Sequence, residues 1–298
     1  MTTGEDPVEM RAELLERWER SAPYWNARRE RMRKFGMPVS EWMIEAVSPQ
    51  PGQRVLELAA GIGDTGLLAA ERVRPGGTLV SSDATEGMLE AAQARAKELG
   101  ADNVEFLRLE LEWIDLPTAS VDAVLCRWGL MLALDPEAAL TETRRVLRPG
   151  GRIALAVWDG PEHNPWATVP IRALVELGHM AAPDPVAPPD PAAPPDPAAP
   201  GMFALSAPGR LTQLLQGAGF TEVVVDAVDF EASYDSFDAY FEEQRDLSRG
   251  FGDAVAGLSG ADRDAVRSRI AELAAPFVSG EGAALRMPAR SLVASASA

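Results

Sequence analysis

Val55-Leu56-Glu57-Leu58-Ala59-Ala60-Gly61-Ile62-Gly63-Asp64-Thr65-Gly66 is the stretch that decides how the chain is read. Val55 to Leu58 is a short, bounded apolar run, the form of a buried strand. Small residues then take over, with Gly61, Gly63 and Gly66, and an apolar helical pattern resumes at Leu67-Leu68-Ala69-Ala70. Strand, glycine loop and helix in that order bring backbone N–H groups at a helix N-terminus within reach of a nucleotide-like ligand. The spacing Gly61-x-Gly63-x-x-Gly66 arises by chance in glycine-rich chains and is weak alone. Glu57 sharpens it. A carboxylate inside the end of an apolar strand is costly unless hydrogen-bonded, so a polar partner is required nearby.

Working outward, Pro51-Gly52 is a turn before the first strand, Arg54 to Leu58, and Pro75-Gly76-Gly77 ends the helix that follows the glycine loop. Thr78 to Asp83 reads as the second strand, with a carboxylate at its C-terminal edge, where open α/β sheets bind their ligands. Asp83 stands about 20 residues beyond the glycine loop, the distance at which an acid grips a ribose diol. The competing reading is a cap on the next helix, Thr85 to Leu99. Val104 to Leu107, Val121 to Trp128 and Arg152 to Trp158 read as further strands, and Asp135-Pro136-Glu137 opens the helix between the last two. Arg127 needs a partner at a strand end, and Glu110 or Glu57 is expected to supply it. Cys126, the sole cysteine, is a small buried hydrophobe in this reading.

Glu57-x-Ala59-x-Gly61-x-Gly63 resembles the first motif of class I S-adenosylmethionine (SAM) dependent methyltransferases, acid-x-Gly-x-Gly-x-Gly, with Ala59 for the first glycine. Val121-Asp122-Ala123-Val124 resembles the family's Phe-Asp-x-Val strand. Val146-Leu147-Arg148-Pro149-Gly150-Gly151 is similar to the segment before the fifth strand in methyltransferases of ubiquinone and menaquinone biosynthesis. The resemblance implies SAM as cofactor and S-adenosylhomocysteine as product. It places Glu57, Ala59, Gly61, Gly63 and Thr65 in the loop around the methionine tail, Asp83 on the ribose, and Ala84 and Met88 on the adenosine. Glu110, where the family usually has Asp, would accept from the adenine amino group beside the backbone of Leu111. Arg127 and Trp128 would lie where the sulfonium meets its acceptor. Two readings compete: an NAD(P)-dependent oxidoreductase, which shares the glycine pattern, and a non-catalytic SAM-binding partner protein.

The composition bounds the rest. With 298 residues, 46% of them hydrophobic, the chain can bury a sizeable core. A formal net charge of −17 argues against nucleic acid as substrate. No apolar run approaches the roughly 18–20 residues of a membrane span. An acidic N-terminus and a single cysteine favour the cytoplasm. The basic run Arg28 to Lys34 is a solvated helix face or an attractor for an anionic substrate.

Residues from about Val8 to Val47 read as helices divided at Pro23 and Pro38, with Trp18 and Trp25 lining a substrate pocket or simply packing. His163, on the ligand edge after the fifth strand, is the candidate catalytic base if the acceptor needs one. His179 looks structural or solvent-facing. A proline-rich repeat fills 183–200, a linker or lid hinge that prolines keep out of helix and inner strand. The expected fold is α/β: a Rossmann-like, mostly parallel sheet of seven strands with one antiparallel edge strand and helices on both faces. Residues 1–50 would form a helical cap and 51–160 the SAM-binding core. Residues 161–210 would be an inserted lid, and 211–298 would complete the core with C-terminal helices. The expected activity is in-line methyl transfer to a small quinone-, polyketide- or secondary-metabolite-like molecule, with no metal.

Overall fold

The computed structural model describes residues 7–180, 201–279 and 284–298. The proline-rich tract at 183–200 lies outside them. Along the chain come α1 (Pro7–Ala27), α2 (Arg29–Val47), β1 (Arg54–Glu57), α3 (Asp64–Arg72), β2 (Thr78–Asp83), α4 (Glu86–Leu99), β3 (Val104–Arg108), β4 (Val121–Arg127), α5 (Pro136–Val146) and β5 (Leu147–Trp158). They are followed by α6 (Pro165–Glu176), α7 (Arg210–Gly217), β6 (Thr221–Tyr234), α8 (Phe237–Leu247), α9 (Arg249–Ala256), α10 (Gly260–Ala274), β7 (Val278–Ser279) and β8 (Ala284–Ser297). The chain forms two compact units. One is Met1–Asp159 with Asp196–Val228 and Ser291–Ala298; the other is Gly160–Pro195 with Asp229–Arg290.

The sheet runs in the order β3-β2-β1-β4-β5-β8-β6, with β7 paired to β8. From β3 to β5 every pairing is parallel. β8 runs antiparallel to β5, from Arg152 opposite Ser297 to Trp158 opposite Ser291. The reversed strand therefore lies one place in from the edge, between β5 and β6. The inner strands are apolar nearly throughout because both faces are covered. Val55, Leu56, Leu79, Val80, Val124, Leu125, Ile153, Leu155 and Val157 are all essentially inaccessible. The chain leaves β1 toward β2 and β3, then returns to β4 on the other side. That reversal opens a crevice at the C-terminal ends of β1 and β4, the place where sheets of this kind take ligands.

The N-terminal helices pack on this unit: α1 against α4, and α2 against α3, β4 and β5. Pro23 and Pro38 do not divide the segment as expected. Both sit inside helices, and the break falls at Arg28. An interior proline costs about 3 kcal/mol, so packing outweighs it here: α2 buries Met32, Gly36, Val39, Ser40, Met43, Ile44 and Val47 on one stripe. Asp135 caps α5 as its sequence implies, accepting from the N–H groups of Glu137 and Ala138 at 3.1 and 2.9 Å. The segment Arg148–Gly151, expected to precede the fifth strand, is instead part of β5. The register passes from Val121 opposite Leu147 directly to Ala123 opposite Arg152, leaving the proline and glycines as a bulge.

The second unit has its own core, built on Tyr234, Tyr240, Phe241, Phe251, Val266 and Ile270. Asn164, fully buried, staples it: its side chain donates to the carbonyl of Arg290 at 3.1 Å and accepts from the N–H of Arg290 at 3.0 Å. α8 and α9 are separate helices because the chain leaves helical geometry at Ser248.

Candidate functional site

The loop after β1 is held from three sides. Leu58 N–H donates to the carbonyl of Leu125 on β4 at 2.8 Å, and Ala60 N–H to that of Ser82 on β2 at 2.8 Å. Gly61 N–H donates to the carboxylate of Asp83 at 2.9 Å. Gly61 and Gly63 take φ of 54° and 84°, and Ala59 takes 49°. Ala59 thus adopts the left-handed geometry for which glycine is better suited. Its methyl lies where a side chain at residue 129 would go: a Cβ there would be 2.5 Å from it, so Gly129 is the complement of Ala59. A Cβ added to Gly61 would meet nothing within 4 Å, so the loop presents an open side.

Glu57 finds the polar partners its position demands. It accepts from Gly66 N–H at 2.6 Å and from the Ser81 hydroxyl at 3.1 Å. A Cβ at residue 66 would lie 2.1 Å from the carboxylate, so only glycine can approach so closely. Burial pushes the pKa of Glu57 up to about 7, against the pull of those two hydrogen bonds. Burial likewise pushes the Cys126 thiol up to about 12, as befits an inert buried hydrophobe.

Asp83 serves the loop and the helix together. One oxygen accepts from Gly61; the other accepts from Thr85 N–H at 3.0 Å and the Thr85 hydroxyl at 2.9 Å. The backbone of Ala84 is a further donor to Asp83, so the roughly four acceptor positions of a carboxylate are taken up by the loop and the start of α4. Desolvation pushes this acid up as well. At the start of α4, Glu19 of α1 accepts from Gly87 N–H at 3.0 Å. Arg11 of α1 pairs with Glu110 and lies 3.7 Å from Glu112. The carboxylate expected on adenine is therefore engaged by α1. Ala84 gives its carbonyl to Arg108 at 2.9 Å, Met88 is buried, and Leu111 is half-buried.

The partner expected for Arg127 needs correction. Glu110 is paired to Arg11, and the acid beside Arg127 is Asp64, with Nη2 3.7 Å from Oδ2. Glu57 adds a longer-range attraction. The reason is topological: Asp64 opens α3 at the end of β1, next to the end of β4, whereas Glu110 comes after the edge strand β3. Burial lowers the pKa of Arg127 and raises that of Asp64, so mutual attraction offsets their desolvation only in part. α2 roofs the pair. A Cβ at Gly36 would fall 1.6 Å from Arg127 Nη1, and the Ser40 hydroxyl shares a 2.9 Å hydrogen bond with that of Thr65.

Beyond Arg127, Trp128 takes a φ of 59°, a strained geometry for a bulky residue and one that concentrates at functional sites. It is held by several contacts. Its ring stacks on Trp158 at 4.3 Å between centroids and 17° between planes. The Arg127 guanidinium lies 4.7 Å from its centroid, and its indole N–H donates to Ser291 at 2.9 Å. Phe35 of α2 completes the cluster, 6.1 Å from Trp128 and 5.9 Å from Trp158. Trp18 and Trp25 pack on each other along α1 at 6.2 Å. His163 is described with the second unit, in one turn of 3-10 helix, with Nδ1 3.7 Å from Glu162 and a side chain 39% exposed.

Sequence reasoning passed over Gly36, Ser40, Phe35, Asp64 and Trp158. A glycine inside the α2 pattern was the available signal, since such a residue costs helix stability unless something packs on it. The open side of Gly61 and the unmatched polar atoms of Asp64 and Arg127 fit a nucleoside ligand with a charged tail.

A family profile described as a methyltransferase domain matches residues 49–176. Nocamycin O-methyltransferase of Saccharothrix syringae is 34% identical over 64% of this chain and 67% of its own length. Demethylmenaquinone methyltransferase of Clavibacter sepedonicus is 39% identical over 39% of this chain; the chain spans only 45% of that relative. The YcgJ protein of Bacillus subtilis superposes with a TM-score of 0.54 at 19% identity, covering 87% of this chain and 97% of that one, a likeness of fold. The chain belongs to the SAM-dependent methyltransferases. SAM is the cofactor of that family, and these likenesses lend no support to a dehydrogenase. No helix among the described residues is long and apolar enough to cross a membrane.

Proposed function

We propose that the protein transfers the methyl group of SAM to a flat, small-molecule acceptor of the quinol, phenol or enolised polyketide kind. The observation that carries this reading is the stack of Trp128 on Trp158, flanked by Phe35, at the strand ends beside the glycine loop. An aromatic, largely apolar wall of this kind suits planar, apolar partners. The nocamycin and demethylmenaquinone relatives, by name an O-methyltransferase and a methyltransferase of a quinone, point to the same chemistry.

In this reading the glycine loop and Asp83 hold the nucleoside, and SAM supplies a methyl group on a sulfonium that leaves as a neutral thioether. The chain's contribution is alignment, which lowers a barrier by about 7–11 kcal/mol when two reactants are held in line. The backbone-fixed Trp128 aligns the acceptor. The test uses SAM carrying a labelled methyl group, offered with reduced naphthoquinones, phenols and enolised polyketides. The expected result is S-adenosylhomocysteine in equal amount with a labelled low-mass product. The reading is overturned if calorimetry detects no binding of SAM or S-adenosylhomocysteine. It is overturned equally if label from a cell extract settles on protein or nucleic acid and not on small molecules.

A further inference from the structure

Ser291 is a polar residue in an apolar series. Buried positions alternate along β8 as Leu285, Met287, Ala289, Ser291 and Val293, and Ser291 is fully inaccessible. A buried hydroxyl is costly unless it is hydrogen-bonded, and an apolar residue would carry no such cost. The partner of this one is the indole N–H of Trp128, 2.9 Å away and 163 positions distant in sequence. In the ladder between β5 and β8, Ser291 stands directly opposite Trp158, the ring on which Trp128 stacks. A single rung of the sheet therefore supplies Trp128 with both a stacking surface and a hydrogen-bond acceptor.

The two contacts fix different things. The backbone of Trp128 is set by its φ of 59° and by its N–H, which donates to the carbonyl of Ala156 at 2.8 Å. Stacking at 4.3 Å and 17° sets the plane of the indole. It does not set the direction of the ring within that plane. The terminal torsion of a tryptophan is broad and roughly two-fold, so half a turn returns the ring to nearly the same plane. Such a turn would carry the N–H away from Ser291, so the hydroxyl selects one of the two orientations. In that orientation Cη2, at the far edge of the six-membered ring, lies 3.3 Å from where a Cβ at Gly36 of α2 would be. We propose that Ser291 is a positioning residue for the methyl acceptor, acting through Trp128: it pins the indole against which the planar acceptor lies. This deepens the planar-acceptor reading and rests on it. Turning the ring moves the acceptor relative to the sulfonium, and a misplacement of about 1 Å can lower a rate by about a hundredfold. The loss falls on turnover more than on binding of either substrate.

The test measures steady-state kinetics with SAM and three acceptors, 1,4-dihydroxynaphthalene, 1-naphthol and 4-hydroxycoumarin, using the one that turns over fastest. Ser291→Ala should lower kcat by about tenfold or more, while KM for SAM and KM for the acceptor each change by less than about threefold. Ser291→Thr, which keeps the hydroxyl, should retain kcat within about threefold. Trp128→Phe has no N–H to hold, so adding Ser291→Ala to it should change kcat by less than about twofold. The proposal fails if Ser291→Ala leaves kcat unchanged or if Ser291→Thr is as slow as Ser291→Ala. It fails equally if Ser291→Ala costs as much in the Trp128→Phe background, the result that a role in packing alone would give. An unmodified protein that binds S-adenosylhomocysteine but methylates none of the three acceptors refutes the planar-acceptor reading itself, and this proposal with it, a result seen before any substitution is made. Thermal melts establish that each variant is folded; if Trp128→Phe is unfolded or inactive, Ser291→Thr against Ser291→Ala decides alone.

Discussion

Glu57 shows how one residue links strand, loop and helix. Its carboxylate is spent on Gly66 and Ser81, so it organises the loop from below and leaves the upper side to a ligand. The cost is desolvation, which lifts its pKa from 4.5 to about 7. The folded protein therefore holds this proton more tightly than the unfolded chain, and between those two values stability falls as pH rises. Across the window the loss is on the order of 3 kcal/mol. Asp64 and Asp83 are raised too and contribute with the same sign, so the informative quantity is a difference between proteins. Glu57→Gln keeps the shape, can accept from Gly66 and can donate to Ser81. Melting temperatures from pH 5 to 8 should show the variant gaining on the unmodified protein by several degrees; parallel curves would mean that Glu57 does not carry the titration.

Among the elements, α2 is the one whose role was least legible. Its hydrophobic spacing announced a helix, but a stripe of Met32, Val39, Met43 and Ile44 reads as ordinary packing. Only the structure shows Gly36 under Arg127 and Ser40 against Thr65. These partners lie 91 and 25 positions away, and no local pattern encodes them. By contrast β1, β2 and β4 were legible nearly to the residue, because buried parallel strands are continuous apolar runs that end where the chain must turn. Glycine at position 36 costs helix stability of about 0.8–1 kcal/mol relative to alanine, and Arg127 is the reason to tolerate it. Gly36→Ala should therefore be less favourable in the unmodified protein than in Arg127→Met by about 1 kcal/mol or more, measured by denaturant unfolding of all four proteins. In the Arg127→Met background it should stabilise. Strict additivity would show that the two residues do not oppose each other.

For the whole molecule, the alternation of strand and helix through Trp158 was enough to define the class of fold, since each helix must return the chain to a parallel neighbour. The chain beyond Trp158 was less legible. The second unit is assembled from two separated segments, and β8 inserts between β5 and β6, both consequences of pairings distant in sequence. Charge is a property at this scale. With 45 acidic and 28 basic residues, the folded chain concentrates an excess of 17 negative charges. Exposed pairs such as Arg269 with Glu176 and Glu272 offset part of that repulsion, but exposed pairs contribute about 0–1 kcal/mol each and are themselves screened. Repulsion acts over the Debye length, about 30 Å at 0.01 M salt and about 3 Å at 1 M. Because every excess charge repels all the others while each pair is local, screening should relieve more than it removes. The melting temperature is expected to rise by several degrees between 10 mM and 500 mM sodium chloride, most of it below 150 mM. A flat or falling curve would show that the arginine–carboxylate pairs, and not net repulsion, dominate the surface electrostatics of this protein.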